Sequence, residues 1–283
     1  MHIVDTNQVE YTPLPRSARG QLTSWKLLRE GEALPGLGYY ARLTKFHEGA
    51  ETFTAPRHRH DFEQLRFGVS GHQIFGPDLE SDAGDVIYFP SAAYYGPEII
   101  TGAEQLLLQW SRKWVTREQQ RAAMVALKEK GTFGEHGFYR TVDENGNVRE
   151  VDGMQAVWEY TYRQPLVLGE PRYPVPIKMN PDSFDWVKQG GLARKTLGRF
   201  TEHDVTVEMV RWDGQRAAHR LNANRTTMAW IIQGSVDVGG QVWGPRTAIF
   251  SDYAETTDLI GERESEVVCF GFPVGPQARL LED

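Results

Sequence analysis

The sequence predicts an all-β protein made of two similar barrels joined by a helix-containing connector. Three observations predict it. Short apolar runs, rich in β-branched and aromatic residues, are cut at close intervals by Gly, Pro, Asn and Asp. Only one segment carries strong helix-terminus chemistry. A weak repeat places Gly49, Gly71 and Gly84 ahead of Gly214, Gly234 and Gly244 at a nearly constant separation.

Taken in order, residues 1 to about 30 read as an irregular lead-in. Strands are then expected at Gly38 to Phe46, Gln64 to Val69, Gln73 to Phe75, Asp85 to Phe89 and Glu104 to Trp110. Thr116 and Gln119 have capping-box spacing, good helix formers run to Lys130, and Gly131 stands where a helix-ending glycine belongs. The stretch from there to about residue 200 is rich in proline and aromatics (Pro165, Pro171, Pro174, Trp158, Trp186) and reads as an ordered connector. Strands resume at Val205 to Trp212, Met228 to Gln233, Thr247 to Phe250 and Glu266 to Phe272. This divides the chain into a barrel over 1–115, a connector over 116–200 and a second barrel over 201–283.

Composition removes several functions. With 31 Lys and Arg against 38 Asp and Glu, the net charge of −7 disfavours bulk binding to nucleic acid or anionic lipid. One cysteine, Cys269, excludes an intramolecular disulfide framework and any Cys-rich metal cluster. No apolar run reaches membrane-spanning length and the start lacks signal-peptide character, so a soluble cytoplasmic protein is expected. There is no Gly-x-Ser-x-Gly elbow, phosphate-binding loop or His-Glu-x-x-His helix.

The one dense group of candidate metal ligands is Arg57-His58-Arg59-His60-Asp61-Phe62-Glu63-Gln64. Residues two apart on a strand share a face, so His58 and His60 can aim two imidazoles at one point. Eight histidines would give such a pair about 0.2 times by chance, so its neighbours decide its meaning.

Those neighbours resemble the cupin superfamily. Gly49, His58, His60, Gln64 and Gly71 match the first cupin motif, and Gly84-Asp-Val-Ile-Tyr-Phe-Pro90 matches the second. The likeness covers about residues 38 to 112 well, and about 200 to 273 through the repeat alone. It implies two jelly-roll barrels and one divalent transition metal, iron for preference, with manganese, nickel, copper or zinc as alternatives. It further implies His58, His60 and Gln64 as ligands. The motif's last histidine is replaced here by Tyr95, beside Tyr94; a tyrosinate can ligate, and a phenol can donate a proton. His72 is a substitute ligand. Arg66, with Arg57 and Arg59, is a candidate to steer an anionic substrate, with a solvated strand face as the alternative. The second copy offers His219 without a partner histidine and is expected to be blind to metal.

The function implied is a metal-dependent enzyme acting on a small organic substrate, foremost a dioxygenase of an aromatic or enol compound. Isomerase, cyclase or decarboxylase chemistry at the same site, or metal-free binding and sensing of a small molecule, are the alternatives. Barrel edges leave a homodimer open.

Overall fold

A computed structural model describes residues 1–13, 23–47, 52–134, 137–200, 203–214 and 216–274; Gly49, the first motif glycine, lies outside them. The chain divides into two compact units. One holds Met1–Tyr11, Lys26–Tyr40 and Met179–Asp283, and the other Thr12–Trp25 and Ala41–Lys178.

The described strands form two seven-stranded sheets, two four-stranded sheets and one three-stranded sheet, and the strands Thr23–Leu34 and Leu37–Phe46 are divided between the two units. In the N-terminal barrel the large sheet runs in the order Ile177–Met179, Val86–Phe89, Glu63–Ser70, Glu104–Ser111, Leu37–Phe46, Thr23–Leu34, Thr12–Pro13. Its small sheet is Phe53–Ala55, Glu98–Ile100, Gln73–Gly76, Leu79–Ser81. The C-terminal barrel repeats this: His2–Asp5, Thr247–Ser251, Thr227–Gln233, Glu266–Gly271, Val205–Trp212, Leu192–Phe200, Val187–Gln189, with Ala217–Arg220, Asp258–Gly261, Val236–Val238 and Gln241–Trp243. Every strand expected from the sequence is present, with its ends nearly where the apolar runs put them. The N-terminal lead-in is less irregular than expected: His2–Asp5 pairs with Thr247–Ser251 as the edge of the C-terminal sheet.

The duplication holds at the level of single residues. Gly71 and Gly234 both end their strand in the left-handed region, at φ 77° and 74°. The strands ahead of them each carry one unpaired residue, Val69 and Ile232, two positions before the glycine in both copies. His58 N donates to Tyr95 O at 2.9 Å, and Leu221 N donates to Thr257 O at 2.9 Å. Ala92 N donates to His60 O at 2.8 Å, and Ala254 N to Ala223 O at 2.7 Å, with Ala92 and Ala254 at φ 63° and 65°.

The connector is more structured than its prolines suggested. Thr116 accepts from Gln119 N at 3.3 Å while the Gln119 side chain accepts from Thr116 N at 2.9 Å, completing the box that starts helix Arg117–Lys128. A second helix, Gly153–Tyr162, begins at Asp152, which caps Met154 N at 2.8 Å. Ala123, Leu127, Tyr139, Ala156 and Val157 from the two helices and a three-stranded sheet (Thr132–Phe133, Phe138–Val142, Val148–Asp152) form their own small core. These elements fall in the same unit as the N-terminal barrel.

In the C-terminal unit, Asp204 sits at φ 55° and accepts from Arg199 Nε at 2.6 Å and Arg225 Nη2 at 2.7 Å. Burial raises its pKa, but the two guanidinium hydrogen bonds outweigh that and hold it below the ordinary carboxylate range. A carboxyl with a lowered folded pKa adds stability above its unfolded pKa and loses it as pH falls through the folded value. Asp204→Asn, which tolerates the same backbone, should therefore cost about 1 kcal/mol at pH 7 and nothing once pH is below the folded pKa. Urea midpoints of the two proteins across pH 2 to 7 check this; a constant difference would contradict it.

Candidate metal centre

The two barrels differ in what fills them. The C-terminal interior is built from Val210, Trp212, Ala229, Ile231, Val236, Ile249, Leu259 and Val267. The N-terminal core has Phe46, Phe75, Ile87, Phe89, Tyr95 and Ile100. Buried with them are His58, His60, Gln64, Arg66 and Glu98. Counting back from the matched glycines Gly71 and Gly234, Thr227 and Ala229 stand where Gln64 and Arg66 stand in the first barrel. Leu221, Ala223 and Thr257 likewise stand where His58, His60 and Tyr95 do, by their backbone hydrogen bonds. At these five positions the second copy has no imidazole, phenol or guanidinium.

The backbone creates the cluster. A bridge between His58 and Tyr95 holds the two residues opposite one another, with ring centroids 4.4 Å apart. His60 brings its ring to 4.8 Å from His58 and 6.1 Å from Tyr95, and stacks on Phe62 at 4.3 Å. All three are more than nine-tenths buried. His58 Nδ1 lies 2.6 Å from the Pro56 carbonyl, which can only accept. Nδ1 therefore carries the hydrogen, and the lone pair is on Nε2, as a metal-binding imidazole requires.

Alternation along Glu63–Ser70 sends Gln64 and Arg66 to one face and Glu63 to the other, where it accepts from the Tyr88 hydroxyl at 2.7 Å. Gln64 Oε1 accepts from Arg66 Nε and Gln109 Nε2, both at 3.2 Å, and Gln64 Nε2 donates to Tyr95 Oη at 2.9 Å. Because arginine can only donate, this network sets which way the amide faces. Both lone pairs of the amide oxygen are then taken by N–H groups. Arg66 Nη2 also donates to Tyr95 Oη, at 3.2 Å, and Arg66 Nη1 pairs with Glu98. Burial works against the charge on Arg66, and Glu98 beside it more than compensates. The guanidinium carbon also lies 4.8, 4.6 and 5.4 Å from the ring centroids of Phe75, Phe89 and Tyr95.

Two expected site residues are not brought to this cluster. Tyr94 alternates away from Tyr95 and is 39% exposed, with Arg57 and Arg59 at 4.3 and 4.7 Å from its ring. Those two arginines thus lie against an exposed ring. The His72 side chain is 49% exposed, its Nδ1 2.9 Å from Asp82 and its Nε2 3.8 Å from Glu80, because the turn at Gly71 delivers it to the surface.

Sequence reasoning missed three residues. Glu98 and Gln109 enter the cluster from strands without a motif, and only a carboxylate in an otherwise apolar strand, Glu98-Ile-Ile, hinted at the first. In the C-terminal barrel, Glu208 approaches His219 and the buried Cys269, their donor atoms all within 4.8 Å of one another. This is the group of three such side chains found among the described residues, in the barrel expected to be blind to metal. Burial, with Arg194 nearby, lowers the pKa of His219 to about 4, leaving a neutral imidazole at pH 7.

The donor chemistry of the N-terminal cluster fits a divalent transition ion: two imidazoles and one phenol oxygen. A tyrosinate oxygen carries three lone pairs, enough to accept from Gln64 and Arg66 and also to ligate.

No protein-family model and no curated protein matches the chain. Solved structures do. Streptomyces albus HEPD, with 2-hydroxyethylphosphonate and Fe(II) bound, is 10% identical with a TM-score of 0.59, covering 99% of this chain and 78% of that one. Protein Ylba from E. coli is 10% identical with a TM-score of 0.56, covering 95% and 90%. Bacillus subtilis oxalate decarboxylase is 13% identical with a TM-score of 0.54, covering 96% and 76%. At such identities the likeness establishes the fold, and the chain has the two-barrel cupin fold.

Proposed function

We propose, for a chain with the two-barrel cupin fold, that the N-terminal barrel is a metal-dependent enzyme site for a small organic substrate, with dioxygenation of an aromatic or enol compound as its reaction. The observation that carries this reading is the gathering of the His58, His60 and Tyr95 rings in one buried cluster. His58, His60 and Tyr95 would hold the ion, with Tyr95 at the place of the second motif's histidine and Gln64, which the resemblance implied as a ligand, bonded to Tyr95 instead. Iron suits this donor set and supplies the electron exchange that oxygenation requires. It is also the ion in the structure of HEPD.

The chain's own residues do the rest. Gln64 and Arg66 donate to Tyr95 Oη and so stabilise charge on that oxygen. Pro56 fixes the tautomer of His58, and Phe62 fixes the plane of His60. Phe75 and Phe89 pack in the apolar core around Tyr95 and Arg66 and limit water there. Iron-loaded protein should consume oxygen only when a member of a phenol and enol panel is added; no uptake across the panel would overturn the dioxygenase reading. No helix of the described residues is long and apolar enough to cross a membrane.

A second reading rests on the Gln64 oxygen, whose lone pairs are occupied by Arg66 and Gln109. If the ion is never bound, the same cluster serves as a metal-free binding site for a small polar molecule. An organic ligand co-purifying with metal-free protein would favour it.

A further inference from the structure

The C-terminal barrel keeps none of the first barrel's cluster, yet its interior is not wholly apolar. Glu208 and Cys269 are directly opposite on neighbouring antiparallel strands, and His219 comes from the small sheet. His219 and Cys269 are 1% and 2% exposed. His219 lies just before Leu221, the counterpart of His58, so the trio is a separate arrangement and not a remnant of the first.

Its geometry is unusual for a group of polar side chains at this depth. His219 Nε2 is 3.7 Å from Glu208 Oε1 and 3.9 Å from Cys269 Sγ. The first distance is too long for a hydrogen bond, and the second is at the outer limit of a weak thiol contact. His219 Nδ1 is buried without a hydrogen-bond partner among the described residues. An imidazole this deep with neither nitrogen in a short hydrogen bond is an expensive feature to retain for packing alone. A tetrahedral ion with ordinary zinc bond lengths sets its nitrogen and oxygen ligands about 3.4 Å apart and its nitrogen and sulfur ligands about 3.6 Å apart. The two separations from His219 are a few tenths of an ångström wider, and all three donor atoms lie within 4.8 Å of one another, so side-chain rotation is needed to close the set.

We propose that Glu208, His219 and Cys269 form a second metal site, a thiolate-containing site for a borderline divalent ion, zinc by its ligand types. The cysteine thiol loses its proton to solvent on binding. Thiolate, carboxylate and neutral imidazole then balance the two positive charges, which suits a buried site. Arg194 Nη1, 3.8 Å from Glu208 Oε2, holds the carboxylate from the other side. The Glu208 side chain is one-third exposed and marks the route of entry. A fourth position is left for water or a small ligand.

Cobalt(II) reports thiolate ligation directly through a near-ultraviolet charge-transfer band. It is added to the folded full-length chain and, separately, supplied during refolding, in wild type and in a His58→Ala/His60→Ala variant that silences the N-terminal barrel. The band should saturate at about one equivalent in both proteins and be displaced by zinc. It should vanish in Cys269→Ser, and His219→Gln should weaken cobalt binding about tenfold or more. No band in wild type by either route, or a band that survives in Cys269→Ser, would overturn the second site and leave the first untouched.

Discussion

His60→Ala should lower substrate-dependent oxygen uptake at least about 100-fold with little change in the fold. It removes one of the donors on which the reaction rests, a loss greater than the roughly 10–100-fold typical of outer-shell partners. It also releases Phe62 from the stacked pair that orients the imidazole. Gln64→Leu should fall in the intermediate range of about 10–100-fold, because Gln64 acts through Tyr95 and not on the ion. Oxygen-electrode rates at matched iron content for the three proteins, beside near-ultraviolet circular dichroism, give the comparison. If Gln64→Leu were as damaging as His60→Ala and lost its iron as completely, Gln64 would be a ligand after all.

Arg66→Met should be the most destabilising single change in the N-terminal barrel, at about 3–5 kcal/mol. It removes the guanidinium that pairs with the Glu98 carboxylate, which is 2% exposed. The double variant Arg66→Met/Glu98→Met should recover most of the loss, since both buried charges are removed together and the volume goes to apolar groups. Urea midpoints of wild type, each single variant and the double variant form the cycle. A double variant at least as unstable as the singles would mean that the pair is held for packing or for the hydrogen bonds to Gln64 and Tyr95.

The strand positions were legible because the short apolar runs end at turn residues, among them glycines whose backbone demands glycine, such as Gly71 and Gly234. The duplication was legible at the same glycines, and the matched unpaired residues Val69 and Ile232 explain why the spacing is so nearly constant. The pairing of His2–Asp5 with Thr247–Ser251 was not, because a short strand at a sheet edge gains its stability from a partner near the opposite end of the chain. His58 and His60 could be read from their local spacing, although the expected strand is not there: both lie between Phe53–Ala55 and Glu63–Ser70, with His58 in an isolated bridge to Tyr95. The role of Gln64 could not, because its amide is oriented by Arg66, Gln109 and Tyr95 from three different segments. Tyr94 and Tyr95 look alike in the sequence and are separated only by which face of the chain each occupies. Glu208, His219 and Cys269 come from three separate strands, widely spaced along the chain, so no motif search would gather them.

The central claim is that His58, His60 and Tyr95 bind one divalent ion, and elemental analysis of untagged protein tests it most directly. Wild type, His58→Ala and Tyr95→Phe are compared, each in a Cys269→Ser background so that the C-terminal barrel does not contribute. The account predicts about one equivalent of a transition metal, iron for preference, that drops to background in His58→Ala and at least about tenfold in Tyr95→Phe. No metal in the parent protein even after reconstitution, or a full equivalent retained in Tyr95→Phe, would contradict it.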